Sequence, residues 1–132
     1  MSLRSMTGFG SAEATSDAQT KATHDIRTIE GVTLLGMDGL YFYRGSLVGI
    51  QNGVSPARIM RFYLNPAFDR VERVETLDSG NPLFDVPTTG VLAGDTFYYI
   101  ANSQLGSFDS MGRILPLNKL KEVVILKVKL AP

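Results

Sequence analysis

The fold of this chain is decided by a strand pattern that occurs twice, as 45-GSLVGIQN-52 and as 95-DTFYYIAN-102. Each copy is a short run rich in Val, Ile, Leu, Tyr or Phe and is bounded by Gly, Asp or Asn, which is typical of a strand between two turns. The copies begin about fifty residues apart. A repeat of about 40–50 residues that carries four short strands is typical of the blades of a β-propeller.

Flanking segments extend the repeat on both sides. The segment 38-DGL-40 parallels 89-TGV-91, and 59-IMRFYLNP-66 parallels 125-ILKVKLAP-132. An insertion over 103–120 separates the later strands of the second copy. The predicted strands are 26–29, 40–43, 46–51, 58–64, 71–77, 91–92, 96–101 and 123–130. We therefore predict an all-β chain of about two four-stranded antiparallel blades, forming a partial propeller or one completed by an oligomer.

The domain organisation follows from where the strand pattern begins. Residues 1–23 are rich in Ser, Thr, Ala and Gly, and they are interpreted as a flexible leader. Residues 24–132 form the folded part, with blades over about 37–80 and 88–132. The side chains expected in the core come from the central strands: Leu47, Ile50, Ile59, Phe62, Phe97, Ile100, Ile125 and Val128.

Composition places the chain among ordinary globular proteins, with 44% apolar and 20% charged residues. Thirteen basic and thirteen acidic residues balance, so neither nucleic acid nor a membrane is predicted as a partner. The absence of cysteine excludes disulfides and thiol chemistry. No apolar run reaches the ~18 residues of a membrane span, and no secretory signal is predicted. The localisation stays open between periplasm, exterior and cytoplasm.

Four segments resemble one superfamily of bacterial six-bladed propellers: 34-LLGMDGLY-41, 48-VGIQNG-53, 81-NPLFDVPT-88 and 100-IANSQ-104. Together they are similar to the C-terminal blades of the gluconolactonase, senescence-marker-protein and luciferin-regenerating-enzyme superfamily, over roughly three quarters of the chain. The resemblance implies about six blades and, in the enzymes, a divalent metal in the central channel that acts on lactones or related esters. Because this chain supplies about two blades, most of such a metal site would come from elsewhere.

The resemblance also implies candidate site residues. Asp38 stands where the enzymes use an innermost-strand Asp as metal ligand and catalytic base, although the pattern favours Asp38-Gly39 as a simple turn that enters a strand. Asn52 and Asn102 end equivalent strands at the expected mouth of the channel, with Gln51 and Gln104 as helpers in ligand binding. Carboxylate and amide oxygens suit Ca²⁺ or another hard divalent cation.

Other sequence features carry less chemistry. The only histidine, His24, is expected to be exposed, and no Gly-x-Ser-x-Gly motif accompanies it. The aromatic residues 41–43 and the pair Tyr98-Tyr99 could form a stacking platform for bases or sugars. Because neighbours on a strand face opposite sides, one member of each group is instead expected in the core between the blades. Lys127 and Lys129 are interpreted as protection of an edge strand. Residues 4–10 are similar to the start of YicC-type endoribonucleases, but no prediction rests on that short likeness.

Two functions from different classes remain open. The first is a non-catalytic propeller fragment or assembly module that binds small polar ligands at a channel. The second is a metal-dependent, lactonase-like hydrolase completed by other blades. Since the second blade stops after its third strand, we expect either a fragment of a longer chain or a homo-oligomer, with a trimer favoured. In the trimer, residues 26–29 of one chain would pair with residues 123–130 of its neighbour.

Overall fold

A computed structural model describes residues 2–5, 13–16, 19–20 and 22–132. Within these ranges the chain is built from strands, with one short 3-10 helix over Leu117–Lys119. The strands are β1 Ser2–Ser5, β2 Glu13–Ser16, β3 Thr23–Asp25, β4 Met37–Tyr43, β5 Ser46–Gln51, β6 Arg58–Leu64, β7 Val71–Ser79, β8 Gly90–Ala93, β9 Thr96–Ile100 and β10 Ile125–Lys129. No helix within the described ranges is long and apolar enough to cross a membrane.

The strands form three antiparallel sheets. The N-terminal sheet has the order β1-β2-β3, the four-stranded sheet has the order β4-β5-β6-β7, and the C-terminal sheet has the order β10-β9-β8. A two-residue turn joins β4 to β5, and both of its residues, Arg44 and Gly45, have positive φ angles. Such turns match the right-handed twist of hairpin strands. The all-β prediction is confirmed.

The four-stranded sheet and the C-terminal sheet pair their equivalent residues in the same register. Ile50 on β5 pairs with Ile59 on β6, and the equivalent Ile100 on β9 pairs with Ile125 on β10. Leu47 pairs with Phe62 in the same way that Phe97 pairs with Val128. The repeat seen in the sequence is therefore present in the hydrogen-bonded ladders.

The four-stranded sheet is covered on both faces. One face packs against the segment that precedes β4, in a core of Ile26, Leu34, Leu47, Met60, Phe62, Leu64 and Val71. The opposite face packs against the C-terminal sheet, in a core of Tyr43, Val48, Ile50, Ile59, Phe97, Tyr99 and Leu130. All six residues of β5 are buried as a result.

Three expectations require correction. Residues 26–29 form no strand, because only Arg27 is bridged, by hydrogen bonds to Asp69 and Val71. Ile125 is 56% exposed and Ile100 is half-buried, and neither belongs to a core. The third correction concerns the alignment of the first strands. The ladders match Val91 to Tyr41 and not to Leu40, because the two hairpins turn after the equivalent residues Tyr43 and Ala93.

The predicted leader contains strands that the sequence did not indicate. β1 and β2 lie within residues 1–23, and β2 pairs with β3. Most of the YicC-like segment, residues 6–10, lies outside the described residues. His24 is exposed on β3, as expected.

Candidate functional site

Asp38 and Asn52, two of the predicted site residues, lie next to each other. Asp38 is exposed on β4, and Asn52 follows the end of β5, which pairs with β4. The Asn52 Nδ2 donates to Asp38 Oδ2 at 2.8 Å and to the carbonyl oxygen of Pro87 at 2.8 Å. Because Pro87 lies in the connection before β8, this amide fastens the first sheet to the start of the second.

This pair does not fit a divalent cation. The carbonyl of Pro87 can only accept a hydrogen bond, so it fixes the Asn52 amide with its N–H groups toward Asp38. A cation there would need the amide oxygen beside the carboxylate instead. Among the described residues, no group of three or more His, Cys, Asp or Glu side chains could hold a metal ion. We therefore derive no metal-dependent step from Asp38.

Gln51 is fully buried and holds the segment that covers the four-stranded sheet. Its Nε2 donates to the carbonyl oxygens of Thr33 and Leu35, both at 2.9 Å. Its Oε1 accepts from Arg58 Nε at 2.9 Å. Both amide donors are therefore used inside the chain, in a position that solvent does not reach.

Asn102 and Gln104 hold the base of the long loop between β9 and β10. Asn102 donates to the carbonyl oxygen of Glu122 at 2.8 Å and accepts from the Val124 N–H at 2.6 Å. Gln104 makes the same two-way contact with the backbone of Lys121, at 2.9 and 2.7 Å. The two amides replace strand pairing where the loop returns, so the structure gives them a role in loop closure.

Aromatic side chains join the two sheets. The rings of Tyr41 and Phe97 lie 5.0 Å apart, and those of Phe97 and Tyr99 lie 5.5 Å apart. The Tyr41 hydroxyl accepts from the Gly90 N–H at 2.8 Å, which fixes the start of β8. A Cβ on Gly90 would lie 2.3 Å from the carbonyl oxygen of Tyr98, so this close approach requires glycine. One member of the Tyr98-Tyr99 pair, Tyr99, is a core residue, as expected.

The pKa of the Tyr99 hydroxyl is clearly shifted by its surroundings. The hydroxyl donates to Asp78 Oδ2 at 2.8 Å. Burial, followed by this hydrogen bond to a carboxylate, raises the pKa of Tyr99 above its ordinary value of 10.0. The hydroxyl therefore stays protonated as the donor that links β9 to the end of β7.

Arg61 is a buried cation between the sheets. Its Nε donates to Ser46 Oγ at 2.8 Å, and its Nη1 donates to the carbonyl oxygen of Ala131 at 2.6 Å. Its guanidinium also lies 5.2 and 4.5 Å from the ring centroids of Tyr43 and Tyr63. Ring faces stabilise a cation that has left water, and the bond to Ala131 ties the end of the described chain to β6.

The outer face of the C-terminal sheet is a candidate binding surface that lies apart from the predicted site residues. Phe97 and Tyr99 on β9 point toward the four-stranded sheet, so Tyr98 and Ile100 point the other way. That outer face holds a concavity of about 210 Å³ lined by Thr89, Gly90, Val91, Tyr98, Tyr99, Ile100 and Ile125. Val91 is 57% exposed. We call this surface the open face.

The open face matches a face that is covered elsewhere in the same chain. By the ladder registers, Tyr98, Ile100 and Ile125 are equivalent to Val48, Ile50 and Ile59. Those three are fully buried because the C-terminal sheet lies on them. The sequence pattern assigned Ile100 and Ile125 to the core, whereas both line the open face.

Comparison with known proteins adds no relative. No protein-family model, no curated protein and no solved structure matches this chain.

Proposed function

We propose that the chain is a non-catalytic assembly module of the β-propeller type, with the four-stranded and C-terminal sheets as two successive blades. Its function is to bind a further blade through the open face. The observation that carries this proposal is the equivalence of Ile100 and Ile125, both on the open face, to Ile50 and Ile59, which are fully buried. An apolar sheet face of this kind is the usual surface by which repeats stack.

A second copy of the chain is the proposed partner. Apolar side chains are also exposed on the side of the four-stranded sheet that faces away from the C-terminal sheet. Phe42 on β4 is 41% exposed there, and Ile29 and Leu35 of the covering segment are 36% and 51% exposed. The open face of one copy would meet this surface of the next, which is a head-to-tail contact that closes by rotation. Three copies would supply about six blades, within the usual number for a closed ring.

Mass in solution tests the proposal. We expect multi-angle light scattering to give a multiple of the chain mass, three copies being favoured, and Val91→Lys to lower that mass by placing a charge on the open face. Leu117→Lys makes the same chemical change at a position that is 84% exposed in the 3-10 helix, and it should leave the mass unchanged.

Two results would contradict the proposal. A parent chain with the mass of one copy and a cooperative melt would show that no second copy is needed. An equal loss of mass in Val91→Lys and Leu117→Lys would show that exposed apolar residues associate without using the open face.

A further inference from the structure

We propose that the free edge of β10 binds an extended acidic strand that is supplied from outside these 132 residues. β10 is the last strand of its sheet, and β9 is its one neighbour among the described strands. Its equivalent, β6, has β5 on one side and β7 on the other. No described strand therefore occupies, in the C-terminal sheet, the position that β7 holds in the four-stranded sheet.

The backbone of β10 offers hydrogen-bonding groups in that direction. The carbonyl oxygen of Val124 accepts from Ala101 at 2.9 Å, and the N–H of Leu130 donates to Asp95 at 2.7 Å. Because antiparallel ladders alternate, the N–H and C=O groups of Ile125, Lys127 and Lys129 point away from β9. No described residue bonds to these groups. An added strand would pair with them by β-augmentation.

The chemistry of the added strand follows from the sheet that is complete. Arg61 on β6 pairs with Glu75 on β7, and Tyr63 pairs with Arg73. The Arg73 guanidinium lies 3.6 Å from the centroid of the Tyr63 ring. The registers make Lys127 equivalent to Arg61 and Lys129 equivalent to Tyr63.

Both equivalents on β10 are exposed lysines. A residue like Arg73 would repel Lys129, since like charges directly opposite each other destabilise a sheet. The complementary strand therefore carries acidic residues two positions apart, one opposite Lys127 and one opposite Lys129. The Lys129 Nζ already lies 3.4 Å from Asp95 Oδ2 in a surface ion pair. Lys127 is therefore expected to contribute more than Lys129 to binding of the acidic strand.

This chain does not contain such a strand. None of its thirteen acidic residues lies two positions from another. The segment expected at this edge, residues 26–29, is engaged elsewhere, because Ile26 is buried and the Arg27 backbone is bonded to Asp69 and Val71. The occupant is therefore a different polypeptide segment.

Fluorescence anisotropy with a labelled peptide tests the proposal. The probe has the sequence of residues 71–79 with the change R73E, which places two acids opposite the two lysines. We expect it to bind about twofold to fivefold more tightly than the parent peptide, the usual range for one favourable cross-strand pair. A peptide with the change E75K should bind more weakly than the parent peptide.

Matched variants of the full chain locate the binding. Lys127→Glu should weaken binding of the R73E peptide, whereas Lys119→Glu, with the same change of charge in the 3-10 helix, should not. N-methylation of the peptide at the Glu75 position keeps its charge and removes one ladder donor, so it should abolish binding. Hydrogen exchange at Ile125, Lys127 and Lys129 should slow when the R73E peptide is bound.

Binding at the edge of β10 follows from the equivalence of β10 to β6 and does not require assembly through the open face. Binding is therefore measured on Val91→Lys, whose substitution lies on β8 at the far edge of the sheet. Failure of the R73E peptide to bind, binding without slowed exchange on β10, or equal losses in Lys127→Glu and Lys119→Glu would each overturn the proposal. None of these results would alter the mass measurement that tests the open face.

Discussion

Phe97 is the residue that most directly holds the two sheets together. Its side chain is fully buried between the rings of Tyr41 and Tyr99. Phe97→Ala should lower the free energy of unfolding by about 3–5 kcal/mol, since it removes a buried ring and leaves a cavity. Urea denaturation measures this. Phe108→Ala, at a half-exposed position in the loop, should change it by no more than about 0.5 kcal/mol. Equal losses in the two variants would contradict the packing described.

Tyr99 predicts how stability depends on alkaline pH. Its pKa is raised in the folded chain, first by burial and then by the Asp78 carboxylate. The unfolded state ionises this hydroxyl near pH 10.0 while the folded state keeps the proton, so the free energy of unfolding falls as the pH rises above that value. Tyr99→Phe should cost about 1–2 kcal/mol at pH 7 and reduce that fall. Denaturant midpoints at pH 7 and pH 10.5 provide the measurement.

The control for this prediction lies on the same strand. Tyr98→Phe removes a hydroxyl from the open face of β9 and leaves the Tyr99–Asp78 hydrogen bond in place, so the alkaline fall in stability should persist. A Tyr99→Phe variant that keeps the full alkaline loss would show that other groups cause it.

At the scale of single elements, the strands were more predictable than their surroundings. β5 and β6 begin and end where the sequence predicts. Gly45 and the Gly- and Pro-containing segment 52–57 break the apolar runs at these limits. Residues 26–29 have a similar apolar pattern, but among the described residues only Arg27 is paired, through a single bridge to Arg70, so no strand forms. Local pattern therefore predicts extended backbone, whereas pairing depends on which edges the fold brings near.

The candidate site was less predictable for a related reason. The resemblance gave Asp38 and Asn52 as separate candidate site residues, and the structure joins them by a hydrogen bond. The sequence could not show that a backbone carbonyl of Pro87, thirty-five residues after Asn52, takes the second amide hydrogen. Nor could it show which repeat positions would lack a covering layer, since Ile59 and Ile125 occupy equivalent places.

The loop between β9 and β10 gives a prediction at the scale of one element. Asn102 supplies two of the hydrogen bonds that close its base. Asn102→Ala should speed hydrogen exchange of the Val124 N–H and increase protease cleavage within residues 103–120, because the loop loses this attachment. Ser110→Ala, at an exposed position within the loop, is the control and should change neither. Unchanged exchange at Val124 in Asn102→Ala would show that Gln104 and the bond from the Ala101 N–H to the Val124 carbonyl suffice to close the loop.

At the scale of the whole molecule, a chain that folds must include the segment before β4, because this segment contributes Ile26 and Leu34 to a core. Among the residues whose side chains are described, those of the two cores begin at Ile26. Residues 1–22 are mostly small or polar, so little burial offsets the cost of ordering them, about 1–2 kcal/mol per residue. We therefore expect a chain that begins at Thr23 to keep most of the parent's stability.

A longer truncation should behave differently. A chain that begins at Gly36 loses Ile26 and Leu34, which uncovers the face that carries Leu47 and Phe62. It also removes the Thr33 and Leu35 carbonyl acceptors of the buried Gln51, and an unpaired buried amide costs about 1–3 kcal/mol. This chain should fail to show a cooperative thermal transition by circular dichroism, whereas the chain from Thr23 should show one. A cooperative transition in the chain from Gly36 would mean that the four-stranded sheet folds with one face uncovered, and residues 26–35 would then be an accessory to the fold.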